Sequence, residues 1–163
     1  MKIVIDPFDK ASINAAIKQL KQYERDFQQK EIEFVRKLKE IGVSVASAGF
    51  ARADYDGVND VLIAETQGGT RAAVIAYGET VGFIEFGTGV KFPKYDAAGL
   101  EFTPPAHGTY GQGKGKNPHG WYFKQGDGAS ARHTYGNPPA EAMLTARNAM
   151  IEKVIDVARE VWR

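Results

Sequence analysis

The sequence has no cysteine, which rules out disulfide scaffolds, thiolate zinc sites and cysteine nucleophiles together. It lacks an apolar run near the roughly 20 residues that cross a bilayer. It also lacks a basic-plus-apolar leader at its start, so the expectation is a soluble protein outside the secretory route. Neither charge sign dominates: 21 Lys+Arg stand against 20 Asp+Glu, a net charge of +1. That balance argues against a general nucleic-acid binder with one large basic face. At 163 residues the chain fits a single domain spanning 1–163, large enough to bury a core without a disulfide or metal.

Ile13, Ile17, Leu20, Phe27, Phe34, Leu38, Ile41 and Val45 fall on one alternating three-four series, with Glu24 and Glu31 at its missing steps. This is a helical period. A continuous helix there would be about 55 Å long at 1.5 Å per residue. If the helix is broken, the polar patch Gln28–Glu31 is the place for it. "KIVI", Lys2 to Ile5, reads as a short β-like run ended by Asp6-Pro7. Two apolar segments, Asp60–Thr66 and Arg71–Tyr77, flank Gln67-Gly68-Gly69-Thr70. They read as an antiparallel hairpin over 60–77. "GFIEF", Gly82 to Phe86, fits either a third strand or a short helix-to-strand transition.

From 89 to 136 the composition shifts. Ten glycines and four prolines accompany Phe92, Tyr95, Phe102, Tyr110, Trp121, Tyr122, Phe123 and Tyr135. Disordered linkers are poor in aromatics, so these residues predict a long loop or insertion that orders against something. "WYFKQ", Trp121 to Gln125, is its candidate strand. The segment holds Lys91, Lys94, Lys114, Lys116, Lys124 and Arg132 against Asp96, Glu101 and Asp127, so it is +3 and the remainder −2. A final helix follows, with Asn137 as the expected N-cap and Pro138 and Pro139 in its first turn. Its apolar residues form two seams: Met143, Met150, Val154, Val157, Val161, and Leu144, Ile151, Ile155, Ala158, Trp162. So broad a face predicts either cover by the chain's own domain or sharing with a neighbouring subunit. The fold class is therefore α+β: a long N-terminal helix, a small antiparallel sheet, a glycine- and aromatic-rich loop, and a C-terminal helix packed on the sheet.

Catalytic and cofactor motifs fail individually. "GTYGQGKG", Gly108 to Gly115, matches a phosphate loop until Gly115 takes the place of the magnesium-binding Ser or Thr, and no apolar strand precedes it. Asp54, Asp56 and Glu65 fit three positions of a calcium loop, but Asn59 stands where the sharp turn needs glycine. An acidic turn leading into the hairpin explains them better. His107, His119 and His133 are 12 and 14 residues apart, unlike the close ligand pairs of zinc sites. No serine-hydrolase elbow occurs. The expectation is no enzyme, no cofactor and no metal. Lysines among stacking rings leave nucleic-acid binding through 89–136 as the alternative function.

The order of elements resembles the small neck or tail-completion proteins of long-tailed bacteriophages, typified by a minor tail component of a lambdoid coliphage. That family ends its hairpin region with an aromatic-x-x-x-Glu-Phe-Gly-Thr block, and here Phe83, Glu85, Phe86, Gly87, Thr88 and Gly89 match it. A proline-rich approach to a C-terminal helix follows, matched by Pro138, Pro139, Ala140, Ala142 and Met143. The chain departs at "ASAGFARADY", which keeps the family's glycine without its proline and leucine, and in the length of 89–136. The resemblance implies a structural protein at the head–tail junction of the virion, assembled in the bacterial cytoplasm. It implies a ring of this chain, a hexamer or dodecamer, completing the tail or joining it to the portal complex. Partners would be other neck, tail-terminator or portal-complex proteins, with no membrane. Lys91, Lys114, Lys116 and Arg132 would be contacts to passing DNA or to partner loops. Glu85 would be a structural or interface carboxylate.

Overall fold

The computed structural model describes residues 3–92, 113–124 and 128–163. Its first element, α1, runs unbroken over Lys10–Ala51. Asp9 starts it, its carboxylate accepting from the amides of Ala11 (2.9 Å) and Ser12 (3.2 Å), two of the donors that a helix N-terminus leaves without an intrahelical partner. The helix does not break at 28–31, which settles the continuity that the stripe left open. Gln, Lys and Glu are good helix formers, and a polar interruption of an apolar stripe removes cover without removing backbone hydrogen bonds. At 42 residues the helix is about 63 Å long. Residues 3–5 of the anticipated first strand carry no strand pairing.

Strands β1 (Leu62–Gly68) and β2 (Arg71–Tyr77) form the expected hairpin, paired antiparallel from Leu62↔Tyr77 to Gly68↔Arg71. Gly69, at φ 60°, opens the two-residue turn. The acidic turn before β1 is a clamp: Asp60 accepts from the amides of Glu79 (2.8 Å) and Thr80 (3.0 Å) and from the Thr80 hydroxyl. The hydroxyl first, then these amides, hold the Asp60 carboxyl below its ordinary range. The hairpin lies on α1, where buried Lys39 meets Glu65 (3.0 Å) and Gln67 (3.3 Å).

"GFIEF" resolves as a short helix, α2, over Val81–Phe86. Part of the long loop forms a second hairpin, β3 (Trp121–Phe123) against β4 (Arg132–Thr134), preceded by a 3-10 turn over Gly113–Lys116. Lys94, Tyr95, Phe102, His107 and Tyr110 lie outside the described residues.

The last helix, α3, spans Ala142–Val161, starting later than the N-cap reading of Asn137 placed it. It was expected on the sheet but runs antiparallel along α1 instead. Ala142 sits at Gly49 and Met150 at Gly42, where the missing side chains leave room for both. Trp162 meets Phe34 and Phe27, with ring centroids 5.3 and 6.3 Å apart. Lys37 bonds Glu160 at 2.8 Å. A helix as long as α1 offers α3 a straighter partner than a two-stranded ribbon, whose twist turns it away from a long helix. The core lies where the four elements converge: Phe50 of α1, Ile84 of α2 and Ala142 of α3, with Ile63, Ala76, Tyr55 and Met143 packed around them.

Candidate functional site

The two sequence blocks that carry the family resemblance are brought together as one junction. Thr88 and Asn137, 49 positions apart, exchange both backbone hydrogen bonds, at 2.9 and 3.2 Å. The Thr88 hydroxyl donates to the Asn137 side-chain carbonyl. The Asn137 amide group donates to the carbonyls of Phe83 (3.0 Å) and Pro138 (3.1 Å). Two further rungs, Ala140 N to Ile84 O (2.9 Å) and Glu141 N to Glu85 O (3.2 Å), tie the approach to α3 onto α2. Pro139 lies against Gly87, which follows the buried ring of Phe86 at the end of α2. The backbones of Thr88-Gly89 and Tyr135-Gly136 approach too closely for side chains. A Cβ on Gly136 would lie 2.2 Å from the Thr88 carbonyl oxygen, and one on Gly89 2.3 Å from that of Tyr135. Both glycines have left-handed φ, +95° and +82°, which other residues adopt only at a cost.

Glu85 sits at the centre of this clasp, 4% exposed. Its carboxylate accepts from Met143 N (3.1 Å) and Leu144 N (3.3 Å), the free amides of the first turn of α3. The residue before the helix, Glu141, has φ 50° and makes no side-chain cap. The cap is thus supplied by α2, and the negative charge meets the positive end of the α3 dipole. Asn137 is spent on the clasp, which is why it does not cap the helix. No local spacing rule reveals a cap whose acceptor lies 58 residues away.

Beside the clasp opens a cleft of about 470 Å³, walled by the rings of Tyr55, Phe83, Trp121 and Phe123, with Lys114, Lys124 and Asp56 contributing charge. The Thr134 hydroxyl donates to Asp56, which holds the second hairpin over the first acidic turn. Burial, then the nearby charges of Asp60 and Asp56, pushes the Tyr55 phenol above its usual range. The walls suit a flat apolar group flanked by an anion. Among the described residues no cluster of three His, Cys, Asp or Glu side chains could hold a metal ion.

The four basic candidates surround the second hairpin. Lys114 lines the cleft, and Lys116 lies on the same 3-10 turn. Arg132 pairs with Phe123 across the strands. The Lys91 ammonium sits 3.9 Å above the centre of the Tyr135 ring. Tyr122, His133 and Tyr135 form an edge-to-face row with centroids 5.0 and 4.9 Å apart. The His133 ring donates from Nε2 to the His119 carbonyl (3.0 Å), which settles its tautomer when neutral. No family model, curated protein or solved structure matches this chain. Among the described residues no helix is long and apolar enough to cross a membrane.

Proposed function

We propose that this chain is a structural subunit of the head–tail junction of a long-tailed bacteriophage, working as a ring around the DNA channel that completes the tail or joins it to the portal complex. The observation that carries the reading is the clasp. The two blocks that resemble the neck and tail-completion family, Phe83–Gly89 and Pro138–Met143, meet at a buried junction whose hydrogen bonds serve architecture and leave no reacting group exposed within it. Such a junction sets the angle between a rigid long helix and its partners, which is what an assembly subunit has to fix. Deleting the gene is expected to leave DNA-filled heads and free tails that do not join productively. Infectious particles at normal yield would overturn the proposal.

A second reading is favoured by the grouping of Lys91, Lys114 and Arg132 around the second hairpin and its Tyr122–His133–Tyr135 row, since cations among exposed rings are the elements of single-strand binding. In that case DNA binding should weaken steeply with salt and fall when Lys114 and Lys116 are both changed to Ala. Retention of binding by that double variant would remove this reading.

A further inference from the structure

The second hairpin carries rings on both of its faces. The register Trp121↔Thr134, Tyr122↔His133, Phe123↔Arg132 and the period-2 pleat put Trp121, Phe123 and Thr134 on one side, and Tyr122 and His133 on the other. The outer side bears the Tyr122–His133–Tyr135 row, with Lys91 over its end. The inner side faces the cleft of about 470 Å³, whose other aromatic walls are Tyr55, from the loop after α1, and Phe83 of α2. Sites for small ligands run from roughly 300 to 1,000 Å³. All four rings lining this open space are half-buried.

The cleft is built before anything enters it. Thr88 and Asn137 line it and are locked to each other by the clasp. The bond from the Thr134 hydroxyl to Asp56 ties the hairpin to the opposite wall. Asp56 keeps lone pairs for a further donor. Lys114 and Lys124 line the same cleft, and the register places Arg132 beside Phe123. Residues 113–124 and 128–136 hold Lys114, Lys116, Lys124 and Arg132 and no Asp or Glu. Among the described residues none of these four cations is in an ion pair.

We propose that this cleft takes one unstacked base of a single-stranded nucleic acid, with the flanking phosphates on Lys114 and Lys124 and a base N–H on Asp56. The inference rests on the single-strand reading and gives it a base pocket. Stacking on aromatic walls serves any base, and lysines at the rim follow the backbone. The aromatic side chain of an acidic peptide would fit the cleft alone. It would leave the outer ring row, Lys91 and Lys116 without a role. A ribbon with rings on both faces and unpaired cations around it suits a polymer that repeats one ring and one anion.

The chain has two tryptophans, and Trp162 packs on Phe34 of α1, outside the cleft. Trp162→Phe therefore leaves Trp121 as the indole reporter. That protein is titrated at low salt with an oligothymidylate of about 12 nucleotides and with an abasic deoxyribose-phosphate strand of equal length. The oligothymidylate should quench Trp121 emission and bind about tenfold tighter than the abasic strand, the factor that stacking supplies. In anisotropy with labelled strands, Phe123→Ala should remove that difference, and Tyr122→Ala, on the opposite face, should keep it. Lys124→Ala changes an exposed side chain and leaves the fold intact; it should lower the slope of log affinity against log salt by about 0.7. Equal binding of the two strands, absence of quenching, or loss of the difference in Tyr122→Ala but not Phe123→Ala overturns the base pocket while strand binding stands. If neither strand binds at low salt, both fall. Quenching by an acidic phenylalanine peptide that oligothymidylate does not displace would assign the cleft to a partner protein and overturn the proposal.

Discussion

Gly136→Ala is expected to cost about 4 kcal/mol or more of folding stability, a large part of the roughly 5–15 kcal/mol that a domain of this size holds. The left-handed φ of +95° accounts for about 1–2 kcal/mol of that. The rest comes from contact. The new Cβ would stand 2.2 Å from the Thr88 carbonyl oxygen and 2.6 Å from its carbon, and both are backbone atoms that cannot swing aside. Relief requires separating Thr88 from Asn137, which breaks the paired hydrogen bonds of the clasp and strands their buried donors and acceptors. Gly69→Ala is the control. Gly69 also has a left-handed φ, +60°, but a side chain there would meet nothing within 4 Å, so about 1–2 kcal/mol is the whole expected loss. Urea unfolding of the two variants separates the terms. Equal losses would mean that the close approach at the clasp carries no energy.

Glu85→Ala is the second large effect, about 3 kcal/mol, because it leaves the half-buried amides of Met143 and Leu144 without their acceptor and removes a charge from the positive end of α3. Glu85→Gln keeps one acceptor oxygen and should lose about half as much. The first-turn amides of α3 should then exchange hydrogen faster, while those near Phe34 and Trp162 remain protected. Both effects belong to the isolated subunit. Unchanged melting of the subunit together with failed assembly would instead make Glu85 an interface carboxylate, one of the two roles left open by the sequence. Within the subunit it is 4% exposed and accepts from the Met143 and Leu144 amides.

Elements whose causes are local were legible in the residues. The α1 stripe, the Gly-Gly hairpin and the strand around Trp121 each follow from a period or a turn residue within a few positions. Whether α1 breaks at 28–31 was open in the residues, and it stays continuous because continuity depends on backbone hydrogen bonds, which polar helix formers keep intact. The N-cap assignment failed for the opposite reason. Asn137 has the right side chain, but buried Thr88 engages it with a hydroxyl and two backbone bonds, and its amide group is taken by the Phe83 and Pro138 carbonyls. "GFIEF" fitted either a strand or a helix-to-strand transition, and in the fold Ile84, Glu85 and Phe86 are all buried on a short helix.

The candidate residues divide along the same line. Phe83 through Gly89 and Pro138 with Pro139 were singled out as two separate blocks, and only folding shows that they form one object. The sequence alone determined the α+β class, the long amphipathic helix, the hairpin and its turn, and the absence of cysteine chemistry, because composition and short-range periodicity are properties of neighbouring residues. The tertiary structure decided that Glu85 caps a helix 58 residues away and that α3 lies along α1 rather than on the sheet. These depend on which surfaces meet, and the free energy of such meetings lies in burial and in hydrogen bonds between segments whose spacing along the chain carries no trace of them.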